Sequence, residues 1–196
     1  MTDTTSPFHR GERNIQARLG IEDKMREPGR RMLREAMSDQ HREFHAQLPI
    51  FFAGSADDDG RIWASALTGA PGFVTAASDR VLSVRARVAT GDPLAGNLRD
   101  GADIGGLGLE FETRRRNRVN GRIANAGPDG FDIAVRQSFG NCPKYIQTRL
   151  LRAAGGAGGT GGKAHRDTVL GATEAAMVAA ADTFFIASRF AEEGDA

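Results

Sequence analysis

The chain has little cysteine and no long apolar run, and each scarcity excludes a class of protein. With one cysteine in 196 residues, no internal disulfide can form and a cysteine-based zinc site lacks its ligands. Residues 1–20 lack the apolar core of a secretory signal, and no apolar run approaches the roughly 20 residues that a membrane-spanning helix needs. We therefore expect a cytoplasmic protein without a membrane partner.

The net charge is also small, because the chain has 26 Lys and Arg residues and 25 Asp and Glu residues. A balanced chain has no overall field that favours nucleic acid, so we expect no nucleic-acid partner and look for a local basic site. The basic residues are almost all arginines, since Lys24, Lys144 and Lys163 are the only lysines. Arginine presents a planar fork that grips phosphate or carboxylate with two bonds, so clustered arginines are the place to look.

Residues 1–47 form a predicted helical extension. Apolar residues recur there at spacings of three, four and seven, which is typical of amphipathic helices. Pro28 and Gly29 predict a break in the helical region. Ser38 or Asp39 can cap a further helix that begins near Gln40, because either side chain can accept from a free N–H group of the first turn.

Residues 48–150 are predicted to form the main domain, which is mainly β. Short β-prone runs follow one another at close intervals, separated by Gly, Pro, Asp or Asn. With no long helix between them, they indicate an antiparallel barrel or sandwich rather than alternating βαβ units. Asp92 and Pro93 could open one short helix. The predicted strands span residues 50–55, 61–67, 72–75, 81–84, 104–112, 118–125 and 131–138.

Residues 151–165 are predicted to be a glycine-rich linker, since six of the eight residues 155–162 are glycine. The segment lacks the Gly-Lys-Ser/Thr ending of a phosphate loop. Residues 166–196 are predicted to be a helix followed by an apolar string at 183–188. That string echoes residues 49–55, so it is either an accidental similarity or the opening of a second barrel repeat.

The densest basic feature is the run from Arg114 to Arg118. If the flanking segments are paired strands, these arginines lie at or beside their connection. A phosphate-bearing ligand would be bound there by charge-assisted hydrogen bonds, and a bound anion would relieve the repulsion among the cations. A solvated basic turn is the alternative interpretation.

A second group of candidates lies on the predicted strand 61–67. Arg61, Trp63 and Ser65 would share one face of that strand, while Ala64 would lie on the other. A cation, a flat aromatic side chain and a hydroxyl on one face could contact a flavin ring and its phosphate. The same residues could equally form an ordinary barrel surface.

Four strings in the chain resemble the pyridoxamine 5'-phosphate oxidase-like, FMN-binding split-barrel family. They occur in the expected order and together cover about residues 8–150. The resemblance implies an antiparallel, Greek-key split β-barrel that pairs as a homodimer and binds FMN, or else FAD or a deazaflavin. The four strings are FHRGERNIQARLG, LPIFFAGSADDDGRIWASALTGAPGFV, ETRRRNRVNGRI and SFGNCPKYIQ.

The resemblance also implies which residues contact the cofactor. One group matches the strand that lies along the flavin, a second matches the cluster near the phosphate, and a third falls on the strand at the edge of the site. In that order, the residues are Trp63, Ala64 and Ser65; Arg114, Arg116 and Asn117; and Lys144 and Tyr145, with Arg61 added as a further cation. The RxVLLK-type string and the C-terminal arginine pattern of true pyridoxamine 5'-phosphate oxidases are not found, so vitamin B6 oxidation is not implied.

The function implied is a flavin-dependent oxidoreductase of unknown substrate, reduced by a nicotinamide nucleotide or a partner reductase. In such a protein the cofactor carries the redox chemistry, which fits a sequence without a recognisable acid–base dyad or triad. No catalytic residue is assigned. The alternatives are a non-catalytic module that binds or stores flavin or haem, and a degenerate barrel that serves only for dimerisation.

Two further features receive structural interpretations. Cys142 lacks a histidine partner in sequence, so we expect a buried structural cysteine rather than a nucleophile. His41 and His45 lie one helical turn apart and could form half a metal site. Without a third ligand we expect them on the surface, and we expect no metal.

Overall fold

The N-terminal part of the structure, a computed structural model, is helical. The described residues are 6–144, 146–151, 165 and 167–190. Helix α1 spans Arg10–Arg18, α2 spans Glu22–Met32 and α3 spans Asp39–Ala46. The side chain of Ser38 caps α3 by accepting from the backbone N–H of His41 at 3.3 Å, so of the two proposed caps Ser38 is the one used.

The predicted break at Pro28 and Gly29 is wrong, because both residues lie inside α2. The chain instead leaves α1 near Gly20, whose φ of +64° is in the region that favours glycine. Gly29 stays in the helix for a packing reason: a Cβ at this position would lie 2.4 Å from the ring of Phe8. The α2 helix therefore tolerates Pro28 and uses the missing side chain of Gly29 to admit an aromatic ring.

Seven strands form one antiparallel sheet in the order β2-β1-β5-β6-β7-β4-β3. The short helix α4, Leu94–Asn97, lies between β4 and β5 in sequence, directly after the predicted Asp92-Pro93 opening. This arrangement confirms the mainly β, antiparallel fold class with a helical lead-in. The strands are β1 Ile50–Ala56, β2 Ile62–Thr68, β3 Val74–Ser78, β4 Val81–Val84, β5 Asp103–Glu110, β6 Arg115–Gly127 and β7 Gly130–Gly140.

The connection between β2 and β3 shows that this sheet curls into a split barrel. These strands lie at opposite ends of the strand order, and a flat sheet would hold them about 29 Å apart at 4.8 Å per neighbour. Thr68 and Val74 are joined by five residues that span about 20 Å even when fully extended. A turn shortens the link further, because the Phe73 N–H donates to the Ala70 carbonyl at 3.0 Å. The two edges must therefore approach each other.

The hydrophobic core lies on the concave face of the sheet. Burial alternates in β1 and β6; in β1, for example, Phe51 and Ala53 are buried and their neighbours are not. Met37, just before α3, closes part of the core. The buried inward positions of β6 end at Ile123, just before a register shift between Ala124 and Gly127. The other, convex face of β1, β5 and β6 is called the outer face below.

The segment that follows helix α5 (Ala172–Ala180) lies against the outer face of β1. Residues 181–190 are described and carry neither helix nor strand. Phe185 stacks on Phe52 with ring centroids 3.8 Å apart, and Ala187 packs over Gly54, where an added Cβ would lie 3.3 Å away. These pairs are equivalent positions of the two echoing strings, so the strings meet in register. Most of the predicted linker lies outside the described residues.

No helix among the described residues is long and apolar enough to cross a membrane. The four-segment division of the chain stays a prediction.

Candidate functional site

The structure divides the predicted site residues between opposite ends of the sheet. Arg61 and Trp63 lie at the start of β2, level with the first residues of β5. Arg116 and Asn117 lie at the start of β6, level with the last residues of β5. Three strand spacings and four residues of rise separate Trp63 from Asn117, about 20 Å along the sheet. Within one chain these residues do not form a single site.

At the first end, Asp57 organises the β1–β2 turn. Its Oδ2 accepts from Arg61 Nε at 2.8 Å and from Trp63 Nε1 at 3.0 Å. Its Oδ1 accepts from the backbone N–H groups of Asp59 and Arg61. The Trp63 hydrogen bond, with further help from Arg61, lowers the pKa of Asp57 to about 2. Arg61 also pairs with Asp59 at 2.5 Å. The guanidinium group of Arg61 therefore forms ion pairs with two carboxylates.

An open cavity of about 430 Å³ lies beside this turn. Carboxylates dominate its charged lining, because Asp57, Asp58, Asp59 and Asp92 contribute against Arg61. Such a lining repels phosphate. This end of the barrel is therefore a poor place for the phosphate of a flavin nucleotide.

Ser65 is buried and serves a structural network. Its Oγ donates to Asp92 Oδ1 at 2.6 Å, and the same oxygen accepts from the backbone N–H of Leu94 at the start of α4. Asn97, at the end of that helix, donates to Ser55 Oγ at 3.0 Å. Ala64 points to the exposed, opposite face of β2. Trp63, Ala64 and Ser65 are thus split between two faces, with Ser65 committed to α4.

The second end of the barrel is basic. Arg114 occupies the β5–β6 turn with φ +62°, and Arg116 follows in β6. Arg116 Nε donates to the carbonyl of Cys142 at 3.1 Å, which places the chain leading to exposed Lys144 beside it. Arg114, Arg116, Asn117 and Lys144 are thus brought to one end of the β5–β6–β7 meander. Tyr145 lies outside the described residues.

The residues of β6 at this basic end point alternately to the two faces of the sheet. Asn117 is buried, whereas Arg116 and Arg118 point to the outer face. Neither Arg116 nor Arg118 forms an ion pair within the described part of the chain, unlike Arg122, which lies 3.5 Å from Asp103 on the same face. Burial, and then the charge of Arg116, lower the pKa of Arg118. Within the part of the chain that the structure describes, the outer face therefore carries two adjacent cations without a carboxylate partner.

The inner side of the same end carries Arg115, which lies 4.0 Å from Glu110. Arg115 lies over the Phe44 ring, 5.0 Å from its centroid. His41 Nδ1 is 2.9 Å from Ser138 Oγ. Burial lowers the pKa of His41, and the charges of Arg34 and Arg115 lower it further. Glu110 beside Arg115 distinguishes this side from the outer face, where Arg116 and Arg118 have no ion-pair partner among the described residues.

The expected surface position is wrong for His45, whereas His41 is half-buried. His45 is completely buried, with its ring edge-on to Phe44 and Phe51. A Cβ at Gly108 would lie 2.8 Å from His45 Nδ1, so glycine at this place in β5 makes room for the imidazole. Burial, and then His41, lower the pKa of His45 to about 3. Within the described residues no group of histidine, cysteine and carboxylate side chains could hold a metal ion.

The expected burial of Cys142 is also wrong, because the residue is exposed. Strand β7 ends at Gly140, so Cys142 lies beyond the last ladder pair, where no neighbouring strand covers it. Its carbonyl, rather than its thiol, has the structural role as the acceptor for Arg116.

A row of large side chains on the outer face was missed from the sequence. Phe52 pairs with Leu107, Leu107 with Arg118, and Arg118 with Phe139, so these residues of β1, β5, β6 and β7 lie side by side. A period-two pattern shows which residues of one strand share a face, but Phe52 and Arg118 belong to different strands. The pattern could not show that they lie on the same face, because register is a long-range property.

Comparisons with known proteins add a remote likeness. No family model matches the chain, and the search of curated proteins finds no match. Among solved structures, the chain is similar to a histidine-to-alanine variant of HupZ from Group A Streptococcus. The two are 12% identical with a TM-score of 0.43, over 54% of this chain and 99% of the other. A likeness at this level carries no argument about ligand or activity.

Proposed function

We propose that this protein binds a planar, phosphate-bearing ligand, FMN above all, on the outer face at the basic end of the barrel. The observation that carries the proposal is the pair Arg116 and Arg118, adjacent on one face without an acidic partner among the described residues. Two guanidinium groups without a carboxylate partner among the described residues fit a phosphate, which offers several acceptors to charge-assisted hydrogen bonds.

The neighbours of the arginines suit the rest of such a ligand. Leu107 lies beside Arg118 on one side and Phe139 on the other, and Phe52 follows Leu107 along the same row. Apolar and aromatic side chains next to a few placed cations are the usual lining of a cofactor site. Bound FMN would supply electron or hydride transfer, and this chain would supply its binding and orientation.

The binding test compares FMN with riboflavin, which has the same ring but no phosphate. Flavin fluorescence is titrated with wild-type protein and with the Arg116→Ala, Arg118→Ala double variant. Losing two charge-assisted contacts should weaken FMN binding by about 10- to 100-fold or more and leave riboflavin binding unchanged.

Arg87→Ala is the matched control, because Arg87 is an exposed arginine that pairs with Asp129 and contacts neither the arginine pair nor Asp103. It should bind FMN like the wild type. The proposal fails if wild-type protein does not bind FMN, or if the double variant binds it as tightly as the Arg87→Ala control.

We further propose that the protein acts as a homodimeric oxidoreductase that takes electrons from a nicotinamide nucleotide or a partner reductase. The support is the ordered family-like strings and the separation of the two predicted halves of the site, about 20 Å along the sheet, which a second subunit could bridge. Stopped-flow mixing of the FMN-loaded protein with NADH or NADPH should bleach the flavin absorbance. A flavin that neither donor nor an added reductase reduces would favour the storage or binding module instead.

A further inference from the structure

Residues 183–190, called the strap below, lie on the same outer face as the proposed ligand site. Phe185 stacks on Phe52 at 3.8 Å and meets Phe111 edge-on at 6.4 Å. Further along, Arg189 pairs with Asp103 at 3.1 Å, and Phe190 stacks on His9 at 4.1 Å. The strap therefore follows β1 from the middle of the sheet towards helix α1.

Phe185 lies on Phe52, which is the β1 end of the row that contains Arg118. Phe52 and Arg118 are two strand spacings apart, about 10 Å, with Leu107 between them. A nucleotide-like ligand held through its phosphate by Arg116 and Arg118 would lay its ring towards Phe52. That surface is the one the ring of Phe185 covers.

The strap is held by contacts that are weak enough to release. Alternate side chains face the sheet, whereas Phe184 and Ile186 are 64% and 79% exposed. The strap belongs to no strand, so side-chain contacts hold it instead of a hydrogen-bond ladder. Its two stacked ring pairs are each worth about 0.5–1.5 kcal/mol beyond the area they bury, and an exposed ion pair is worth about 1 kcal/mol or less. Such a segment belongs to the low-stability part of a fold.

We propose that the strap is a built-in competitor for the ligand, with Phe185 holding the ring position on Phe52 until a planar ligand displaces it. This inference rests on the proposed function. Only molecules with the strap released are competent to bind, so the strap weakens the apparent affinity by the fraction that is released. A ligand with both a ring and a phosphate overcomes the strap more readily than a ring alone.

The test uses full-length Phe185→Ala, with Phe184→Ala as the matched control. Both variants remove one phenylalanine from the same segment, but Phe184 points away from the sheet. Phe185→Ala should bind FMN and riboflavin about tenfold more tightly than the wild type, and Phe184→Ala should leave both affinities unchanged. An equal gain for both flavins separates loss of competition at the ring from a change at the phosphate.

A second measurement follows the strap directly. Trypsin cleavage after Arg189, quantified by mass spectrometry, should accelerate severalfold in wild-type protein at saturating FMN, because displacement frees Arg189 from Asp103. Unchanged or weaker FMN binding by Phe185→Ala, or protection of Arg189 by FMN, would overturn the strap proposal and leave the proposed function standing. If no variant binds FMN, the proposed function fails and the strap proposal fails with it.

Discussion

The buried imidazole of His45 makes the stability of this fold depend on pH. Its folded-state pKa of about 3 lies below its ordinary value of 6.5, so between these values the unfolded chain binds a proton that the folded chain excludes. Above about pH 6.5 the His45 ring is neutral in both states and does not lower the unfolding free energy. As the pH falls from 6.5 towards 3, the unfolding free energy decreases, because the unfolded chain takes up the proton. Both ring nitrogens lack a hydrogen-bond partner within the described residues, so burial is not offset locally.

We therefore expect the unfolding free energy to fall by up to about 1.4 kcal/mol per pH unit between pH 6 and 4 because of His45. His45→Phe removes the titrating group and keeps a ring among Phe44 and Phe51, so this part of the slope should disappear. Urea denaturation at a series of pH values measures it. Identical slopes for variant and wild type would contradict the assignment.

Gly121 gives a second prediction about a single residue. A Cβ there would lie 2.1 Å from the backbone carbonyl oxygen of Ala134, at the register shift in the β6–β7 pair. Gly121→Ala should destabilise the protein by about 3 kcal/mol or more, because the backbone must move. Gly96→Ala, where nothing lies within 4 Å of the added Cβ, is the control and should change the melting temperature little.

At the scale of the element, helix α4 is fastened to the β1–β2 hairpin by two polar contacts. Asp92→Ala removes the acceptor shared by Ser65 and the Leu94 N–H, leaving a buried hydroxyl unpaired. We expect a loss of about 1–3 kcal/mol, measured by chemical denaturation. Asp100→Ala, at an exposed carboxylate that accepts from the Ala126 N–H, should cost less. Equal losses would contradict this role of Asp92.

The elements also show what the sequence could and could not predict. Strand β4 occupies the predicted residues 81–84, because alternation and turn residues are local signals. Strand β6 begins at Arg115 rather than at 118, since a run of like charges resembles a loop although pairing with Glu110 and Leu109 extends the ladder. Arg114, Arg116 and Lys144 lie at one end of the sheet because of the strand register. Local sequence patterns do not contain the register, so the sequence could not predict this arrangement.

At the scale of the whole molecule, apolar side chains remain exposed on and around α5. Met177 and Val178 are 71% and 48% exposed. The helix is composed almost entirely of apolar residues, yet none of them is buried. Contiguous exposed apolar surface is typical of an interaction site. This supports, as a proposal, that α5 contributes to the homodimer.

We expect sedimentation equilibrium to give about twice the chain mass of 20.9 kDa. Met177→Glu places a charge on the apolar surface and should shift the protein towards the monomer. Thr173→Glu adds the same charge near the start of the same helix and should leave the mass unchanged. A wild-type monomer at micromolar concentration, or a Met177→Glu variant that stays dimeric, would refute this role of α5.

The five-residue link between β2 and β3 affects how much this barrel can vary. An insertion there adds little loop-closure entropy, about 0.6 kcal/mol for each doubling of length. The split between the two edges could therefore widen without the loss of any ladder pair. A deletion has no such latitude, because it would break the turn that the Phe73 N–H closes on the Ala70 carbonyl or displace Phe73 from the core. Natural or engineered variants of this fold should thus tolerate gains of length between Gly69 and Phe73 and reject losses.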